Sequence, residues 1–246
     1  MPWLALILVL LAFPAVAGPD AAAIVRAAIE HYRGKTSWMR LEMVIHRPDW
    51  ERRLRLEAWT QGLDRSLVRV LAPRKDAGNA TLLVGDAMWL YNPRVNRVIR
   101  IPASMMNQSW MGSDFSNNDI ARSDDLIDQY DHRLLGEERV DGHRAWRIRS
   151  IPHEDAPVVW GFEDSLIRDD YVFLEHTYHD QAGSLVRRLT AREIGVLDGR
   201  PYAVRERMER LDKPGHWTEV HVLEARFDRP LPADLFTLAN LRNPRP

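Results

Sequence analysis

The sequence contains no cysteine. A disulfide framework, a thiolate metal site and a cysteine nucleophile are therefore excluded, and a hydrophobic core must stabilise a chain of 246 residues without staples. An excess of one charge is also lacking, since 34 Lys and Arg stand against 35 Asp and Glu, for a formal net charge of -1. This balance predicts no nucleic-acid partner, because nucleic-acid binding requires a basic surface.

Motifs for catalysis and metal binding are scarce. The sequence has no glycine-rich phosphate loop and no dinucleotide-binding fingerprint. His176 and His179 have a metal-like spacing, but residues three apart on a strand point to opposite faces. Asp124, Asp125 and Asp128 are explained equally well by a solvated helix face. The sequence therefore predicts a protein that is not an enzyme, with no cofactor and no metal.

The first residues form an apolar run without a charged side chain, and the run closes in the small-residue pattern Ala15-Val16-Ala17. This pattern predicts a signal peptide at residues 1–17, cleaved after Ala17, and export to the periplasm. An uncleaved anchor is the alternative, but the run is shorter than the roughly 20 residues that cross a bilayer. Residues 18–246 contain no other long apolar run and are expected to form a single domain without stable membrane insertion.

Strand patterns dominate the rest of the chain. One amphipathic helix is predicted from Asp20 to Arg33, followed by segments of alternating polar and apolar residues that indicate antiparallel strands. The predicted fold is mainly β with a few helices (α+β), as one strongly curved sheet or open barrel. The predicted strands are 38–46, 53–60, 65–71, 80–84, 87–91, 97–101, 132–140, 144–151, 171–179, 184–193, 203–211 and 217–227.

Three shorter segments interrupt this pattern. Residues 102–118 are rich in Met and aromatic residues but also carry Gly, Asn and Ser, so they suit a loop over an apolar cavity. A second helix is predicted from Asp119 to Tyr130, and a short helical cap from Leu231 to Phe236. Arg94, Arg97 and Arg100 form a basic cluster, which a solvated strand face explains better than a binding site.

Two groups of apolar residues are candidate ligand contacts. The loop group is Met105, Met106, Trp110, Met111 and Phe115, and the strand group is Met39, Leu41, Met43, Leu54, Leu56, Trp89 and Tyr91. Each of these residues has an ordinary alternative role in the core. The groups become a ligand site only if the curved sheet leaves an unfilled concave face.

Parts of the sequence resemble the outer-membrane lipoprotein-sorting proteins of the LolA-like superfamily. The resemblance rests on residues 88–102, on the block Ser-Trp-Met-Gly-Ser-Asp-Phe at 109–115, and on Leu-Pro-Ala-Asp-Leu-Phe-Thr at 231–237. It covers nearly all of residues 18–246. It implies a half-open, strongly curved antiparallel β-barrel with a helical lid, whose apolar interior holds acyl chains.

The resemblance implies a function as well as a fold. The implied function is a periplasmic carrier or chaperone for the acyl chains of lipoproteins or other lipids, with an inner-membrane permease among the implied partners. The alternative is a regulatory lipid-sensing module that contacts a membrane permease or a signalling partner.

Overall fold

The computed structural model of the protein describes residues 19–121 and 125–244, and the predicted signal peptide lies outside these ranges. The described chain contains the helices α1 (Ala21–Arg33), α2 (Asn117–Ala121), α3 (Asp125–Asp128) and α4 (Leu238–Arg242). Its strands are β1 (Thr36–Arg47), β2 (Trp50–Gln61), β3 (Arg65–Ala72), β4 (Ala80–Val84), β5 (Ala87–Asn92), β6 (Arg97–Arg100), β7 (Tyr130–Val140), β8 (His143–Pro152), β9 (Phe162–Arg168), β10 (Phe173–His179), β11 (Leu185–Leu197), β12 (Arg200–Arg210) and β13 (Trp217–Phe227).

All of these strands belong to one antiparallel sheet. The strand order is β6-β5-β4-β3-β2-β1-β13-β12-β11-β10-β9-β8-β7, so the first and last strands pair in the middle. Strands β6 and β7 are the two edges and do not pair with each other, so the sheet is open. We call residues 101–121 and 125–129, which lie between β6 and β7 in the sequence, the crossover segment.

The alternation of side chains decides which face of the sheet is buried. On β1, Met39, Met43 and Ile45 are buried, whereas Arg40 is exposed. Because successive side chains on a strand point to opposite faces, these apolar residues line one common surface. A register shift between Arg40 and Leu41, where β1 pairs with β13, marks a bulge of the kind that bends a strand.

Helix α1 lies across one half of the sheet. Asp20 caps its N-terminus by accepting a hydrogen bond from the backbone of Ala22, and Gly34 ends it with a positive φ of 63°. Its buried face packs in a cluster made by Ile24, Val25, Ala28 and Ile29 with Trp146, Ile148 and Ile167. This packing fixes the end of α1, and with it Tyr32, over the sheet.

Residues 231–241, which we call the C-terminal segment, cover the other face of the sheet near β3 to β5. Leu235 and Leu241 pack with Leu67 and Leu82 in a separate cluster. Buried Arg69 donates a hydrogen bond to the carbonyl oxygen of Asn240 at 3.0 Å. The C-terminal segment therefore buries strand residues that would otherwise face solvent.

The predicted mainly-β class and the open antiparallel sheet are confirmed, but several predicted elements are wrong. Strand β9 was not predicted, because the polar residues Glu163 and Ser165 occupy two of its buried positions and so obscure the alternation of polar and apolar residues. The helix predicted from Asp119 to Tyr130 overlaps α2 and α3, its residues 122–124 lie outside the described ranges, and Tyr130 belongs to β7 instead. Residues 231–236 are turns, not a helical cap, and the terminal helix begins at Leu238.

Candidate functional site

A cavity of about 560 Å³ lies on the concave side of the sheet. Strands β1 to β3 and β9 to β13 supply its walls, while α1 and the crossover segment contribute residues on the remaining side. The volume falls in the range of roughly 300–1,000 Å³ that is usual for sites binding one small ligand. The concave face is therefore not filled by the protein's own side chains.

One wall of the cavity is apolar. It is formed by Met39, Leu41, Met43, Leu56, Val68, Val220, Trp110, Phe115 and Ile120. Strands β2, β1 and β13 are neighbours, and Leu56 pairs with Leu41 across β1 and β2. Because side chains of paired residues lie on the same face, this wall is a continuous surface suited to a hydrocarbon.

The predicted ligand contacts are divided between this wall and other places. Those that line the cavity are Met39, Leu41, Met43, Leu56, Trp110 and Phe115. Leu54 and Met106 are buried in the adjoining core cluster, against which Met111 packs, and Met105 is exposed. Trp89 and Tyr91 pack against the C-terminal segment on the opposite face of the sheet, because Met88 and Leu90 are the β5 residues that face the concave side.

The opposite wall of the cavity carries buried charge. Arg187 on β11 donates hydrogen bonds to Asp119 at 2.8 and 3.1 Å, and its guanidinium carbon lies 4.7 Å from the ring centre of Trp160 and 4.3 Å from that of Tyr178. Burial, the largest single influence, lowers the pKa of Arg187, but the charge and hydrogen bond of Asp119 together with Tyr178 and Glu163 outweigh it and raise the pKa. This pair ties α2 of the crossover segment to the far half of the sheet.

A second buried polar group surrounds Glu163 on β9. The hydroxyl of Tyr130 donates to one carboxyl oxygen, and a ring nitrogen of His176 bonds the other. The second ring nitrogen of His176 lies 2.8 Å from the hydroxyl oxygen of Ser165. Burial, followed by the nearby charge of Glu163, raises the pKa of Tyr130, so its hydroxyl stays protonated and donates.

The third polar feature is the pair formed by Tyr32 and Glu206. The hydroxyl of Tyr32 donates to carboxyl Oε2 of Glu206 at 3.0 Å. Glu206 is only 8% exposed, and burial raises its pKa from 4.5 to about 7 although the bond from Tyr32 lowers it. The carboxyl group is consequently near half-protonated at neutral pH.

Sequence reasoning missed these polar residues as members of the site. Their signal is present in the strand patterns, because a charged residue at an apolar position of an alternating strand must be buried or bent away. Arg187 lies two positions from Leu185 and from Leu189, and Glu206 lies two positions from Val204 and from Met208, so each charged residue takes the place of an apolar one in the pattern. Their position in the alternating strand pattern, rather than a sequence motif, identifies Arg187 and Glu206 as candidate buried charges.

Other polar candidates lie apart from each other. His176 contacts Glu163 and Ser165, whereas the ring of His179 stacks on Phe162. Over residues 19–121 and 125–244, no group of three or more His, Asp or Glu side chains is arranged to hold a metal ion. Arg94, Arg97 and Arg100 are exposed. Asp124 lies outside the described ranges.

The turn at Met111 to Asp114 is firmly attached to the sheet. Arg47 donates to a carboxyl oxygen of Asp114 at 2.9 Å and to the carbonyl of Gly112 at 2.8 Å. Thr218 donates to the same carboxyl oxygen at 2.6 Å, and Arg52 donates to the carbonyl of Met111 at 3.2 Å. This part of the crossover segment is therefore a fixed boundary of the cavity.

None of the described helices combines the length and the apolar composition needed to cross a bilayer. A family model described as an uncharacterized protein matches residues 62–243. No protein of curated function matches the sequence.

Solved structures share the fold over nearly the whole chain. A DUF1329 family protein from Desulfovibrio piger is 26% identical, with a TM-score of 0.82 over 90% of this chain and 97% of its own. An outer membrane lipoprotein-sorting protein domain from Vibrio parahaemolyticus is 24% identical, with a TM-score of 0.77 over 90% and 98%. A LolA superfamily protein from Nitrosomonas europaea is 21% identical, with a TM-score of 0.74 over 90% and 99%.

Proposed function

The chain belongs to the family of uncharacterized proteins whose model matches residues 62–243, and from this premise and its LolA-like fold we propose that it is a periplasmic carrier of lipids or lipoprotein acyl chains. The observation that carries the proposal is the cavity of about 560 Å³ between the concave sheet and the crossover segment. An apolar wall that the protein's own core leaves uncovered is a site for hydrocarbon.

The driving force for binding is burial of the cargo's hydrocarbon chain. Each methylene removed from water contributes about 0.8 kcal/mol, so a palmitoyl chain offers on the order of 10 kcal/mol before costs. Loss of the chain's conformational freedom and of free tumbling offsets several kcal/mol of this gain. The remaining affinity suits a carrier, which must release its cargo as well as bind it.

The crossover segment and α1 serve as the cavity's roof in this proposal. Leu126 of α3 lines the cavity, and Arg26 of α1 lies 3.6 Å from Asp128 of α3 in an exposed ion pair. Exposed ion pairs contribute about 0–1 kcal/mol, so this pair adds little to the apolar packing of Leu126 and Ile127 against the cluster that α1 helps to form. In this proposal, the contact between α1 and α3 is the helical lid. Residues 1–17 direct export, and an inner-membrane permease loads the cargo into the cavity.

A substitution that fills the cavity tests the proposal. Ala58 on β2 lines the cavity, so the indole of Ala58→Trp would occupy space that a hydrocarbon needs while deleting no existing contact. Titration of the purified protein with the apolar fluorophore N-phenylnaphthylamine should give saturable binding in the unsubstituted protein. Ala58→Trp should weaken this binding by about tenfold or more, the equivalent of about 1.4 kcal/mol.

Ala87→Trp is the matched control, because Ala87 lies on β5 away from the cavity. It should leave fluorophore binding unchanged, and the melting temperatures of both variants should be measured alongside. Saturable binding that Ala58→Trp and Ala87→Trp affect equally would disprove a ligand site in this cavity. If instead Ala58→Trp alone weakens binding, mass spectrometry of organic extracts from gently purified protein would identify the natural cargo.

A further inference from the structure

Glu206 presents to the cavity an acceptor oxygen that no described residue satisfies, whereas the unpartnered atom of Arg187 on the same wall is a buried donor, Nε. Arg187 is paired with Asp119, and Arg210 donates two hydrogen bonds to Asp212. Glu206 accepts a single hydrogen bond, from Tyr32, and its second carboxyl oxygen, Oε1, accepts none from the described residues. A side chain that is 92% buried beside an unfilled cavity thus retains one free hydrogen-bonding oxygen.

The position of Glu206 places this oxygen at a boundary between polar and apolar surfaces. Glu206 on β12 pairs with Val220 on β13, and Val220 pairs with Met43 on β1. Both apolar residues line the cavity. The polar atom and the hydrocarbon wall are therefore adjacent on one face of the sheet, the arrangement that an amphiphile with a small head needs.

The charges around the cavity disfavour an anionic head. The arginines that line it are Arg33, Arg187 and Arg210, and the carboxyl groups are Asp119, Asp125, Glu163 and Glu206. Arg33 donates hydrogen bonds to the carbonyl oxygens of Gly62 and Arg65 among its contacts, Arg187 donates to Asp119, and Arg210 donates to Asp212. A carboxylate or phosphate head beside Glu206 would be desolvated without a new cation, which is costly.

We propose that the cavity selects single-tailed lipids with an uncharged hydroxyl head, which hydrogen-bonds to Oε1 of Glu206 while the tail lies along Val220, Met43 and Leu41. This inference rests on the proposed function and specifies the cargo class for the same cavity. A hydroxyl both donates and accepts, so it satisfies the carboxyl group in its neutral and its ionised form. A volume of about 560 Å³ fits one chain with a small head.

A binding comparison tests the inference. Monopalmitoylglycerol and palmitate, which carry the same acyl chain, would each be titrated into the protein by displacement of N-phenylnaphthylamine at about pH 8, where palmitate is more fully ionised. Monopalmitoylglycerol should bind about tenfold more tightly than palmitate or better, because only palmitate brings a second negative charge to Glu206.

Variants at position 206 separate the head contact from general packing. Glu206→Leu should weaken monopalmitoylglycerol binding by about tenfold relative to N-phenylnaphthylamine, whose affinity is measured separately for each variant, because the monoglyceride loses its head contact whereas the fluorophore has no hydroxyl head. Glu206→Gln should retain monopalmitoylglycerol binding and strengthen palmitate binding. Glu209→Gln, whose carboxyl group forms an ion pair with Arg192 on the same strand pair, is the control and should change neither.

The outcomes distinguish this inference from the proposed function. Equal affinities for both lipids, with no effect of Glu206→Leu, would overturn the inference and leave the carrier proposal standing. If neither lipid displaces a fluorophore that does bind, the inference is likewise overturned. Failure of the fluorophore and both lipids to bind would remove the proposed function and the inference together.

Discussion

Glu206→Gln should make the protein more stable, and the gain should grow with pH. Glu206 is almost completely buried, and burial holds the pKa of its carboxyl group at about 7 in the folded protein against 4.5 as its ordinary value. Below about pH 4.5 the carboxyl group is protonated in both the folded and the unfolded chain, so it costs nothing. As the pH rises towards 7, the unfolded chain releases its proton first, and folding stability falls.

The magnitude follows from the size of the pKa difference. A shift from 4.5 to about 7 corresponds to about 3 kcal/mol of lost stability once the pH exceeds the folded-state value, at about 1.4 kcal/mol per pKa unit. Glutamine never ionises, so Glu206→Gln avoids this loss. The difference in free energy of unfolding between variant and unsubstituted protein should therefore increase by about 2 to 3 kcal/mol between about pH 5 and pH 8.

Urea denaturation at several pH values measures this difference directly. Titrating groups far from Glu206 are common to the two proteins and cancel in the comparison, and the neighbouring Tyr32 and Tyr202 have raised pKa values, so both stay protonated over this pH range. The groups around Glu206 are Tyr32 and Arg33 on α1, Tyr178 on β10, Arg187 on β11, and Tyr202 and Arg210 on β12. A stability difference that stays constant with pH, or shrinks as the pH rises, would refute the reasoning.

Other predictions concern the remaining polar contacts and the roof. Asp119→Asn should lower the free energy of unfolding by about 3 to 5 kcal/mol in urea denaturation, because Arg187 keeps its charge in a buried place; a loss below about 1 kcal/mol would contradict the pairing. Tyr130→Phe should cost about 1 to 3 kcal/mol in the same assay, since Glu163 loses a donor, and no loss would contradict it. A nitroxide attached at Asp128→Cys, the only cysteine in that variant, should change its spectral mobility when N-phenylnaphthylamine binds, and an unchanged spectrum would exclude α3 as a moving part.

The strands that the sequence predicted well are those with one buried face. On β1, apolar and polar residues alternate from Met39 to Met43, and the structure buries Met39 and Met43 and half-buries Leu41. Strand β5 is different, because Met88 packs on the concave side and Trp89 packs under the C-terminal segment. When both faces of a strand are covered, alternation cannot tell which face meets the cavity.

The polar wall could not be predicted from local patterns for a different reason. Glu163 and His176 stabilise each other across the neighbouring strands β9 and β10. The burial of either residue therefore cannot be predicted until the strand pairing is known. Asp119 and Arg187 are 68 residues apart in the sequence. Such pairs arise from the tertiary fold, whereas helix and strand patterns report only on residues within a few positions of each other.

The attachment of the crossover segment determines where the cavity can open. Asp114 is held by Arg47 and Thr218, and Arg187 donates to its carbonyl oxygen at 3.1 Å, so the turn before α2 is bound to β1, β11 and β13 together. Each charged hydrogen bond contributes about 1.5 to 3 kcal/mol, so lifting this turn would break several such contacts at once. By contrast, α3 contacts α1 through the exposed ion pair of Arg26 and Asp128 and through the packing of Leu126 and Ile127 against the cluster that α1 helps to form. Opening at α3 would separate apolar contacts and an exposed ion pair, whereas opening at the turn from Met111 to Asp114 would break several charged hydrogen bonds. We therefore expect this turn to keep Trp110 and Phe115 in place as a wall while the cargo enters and leaves.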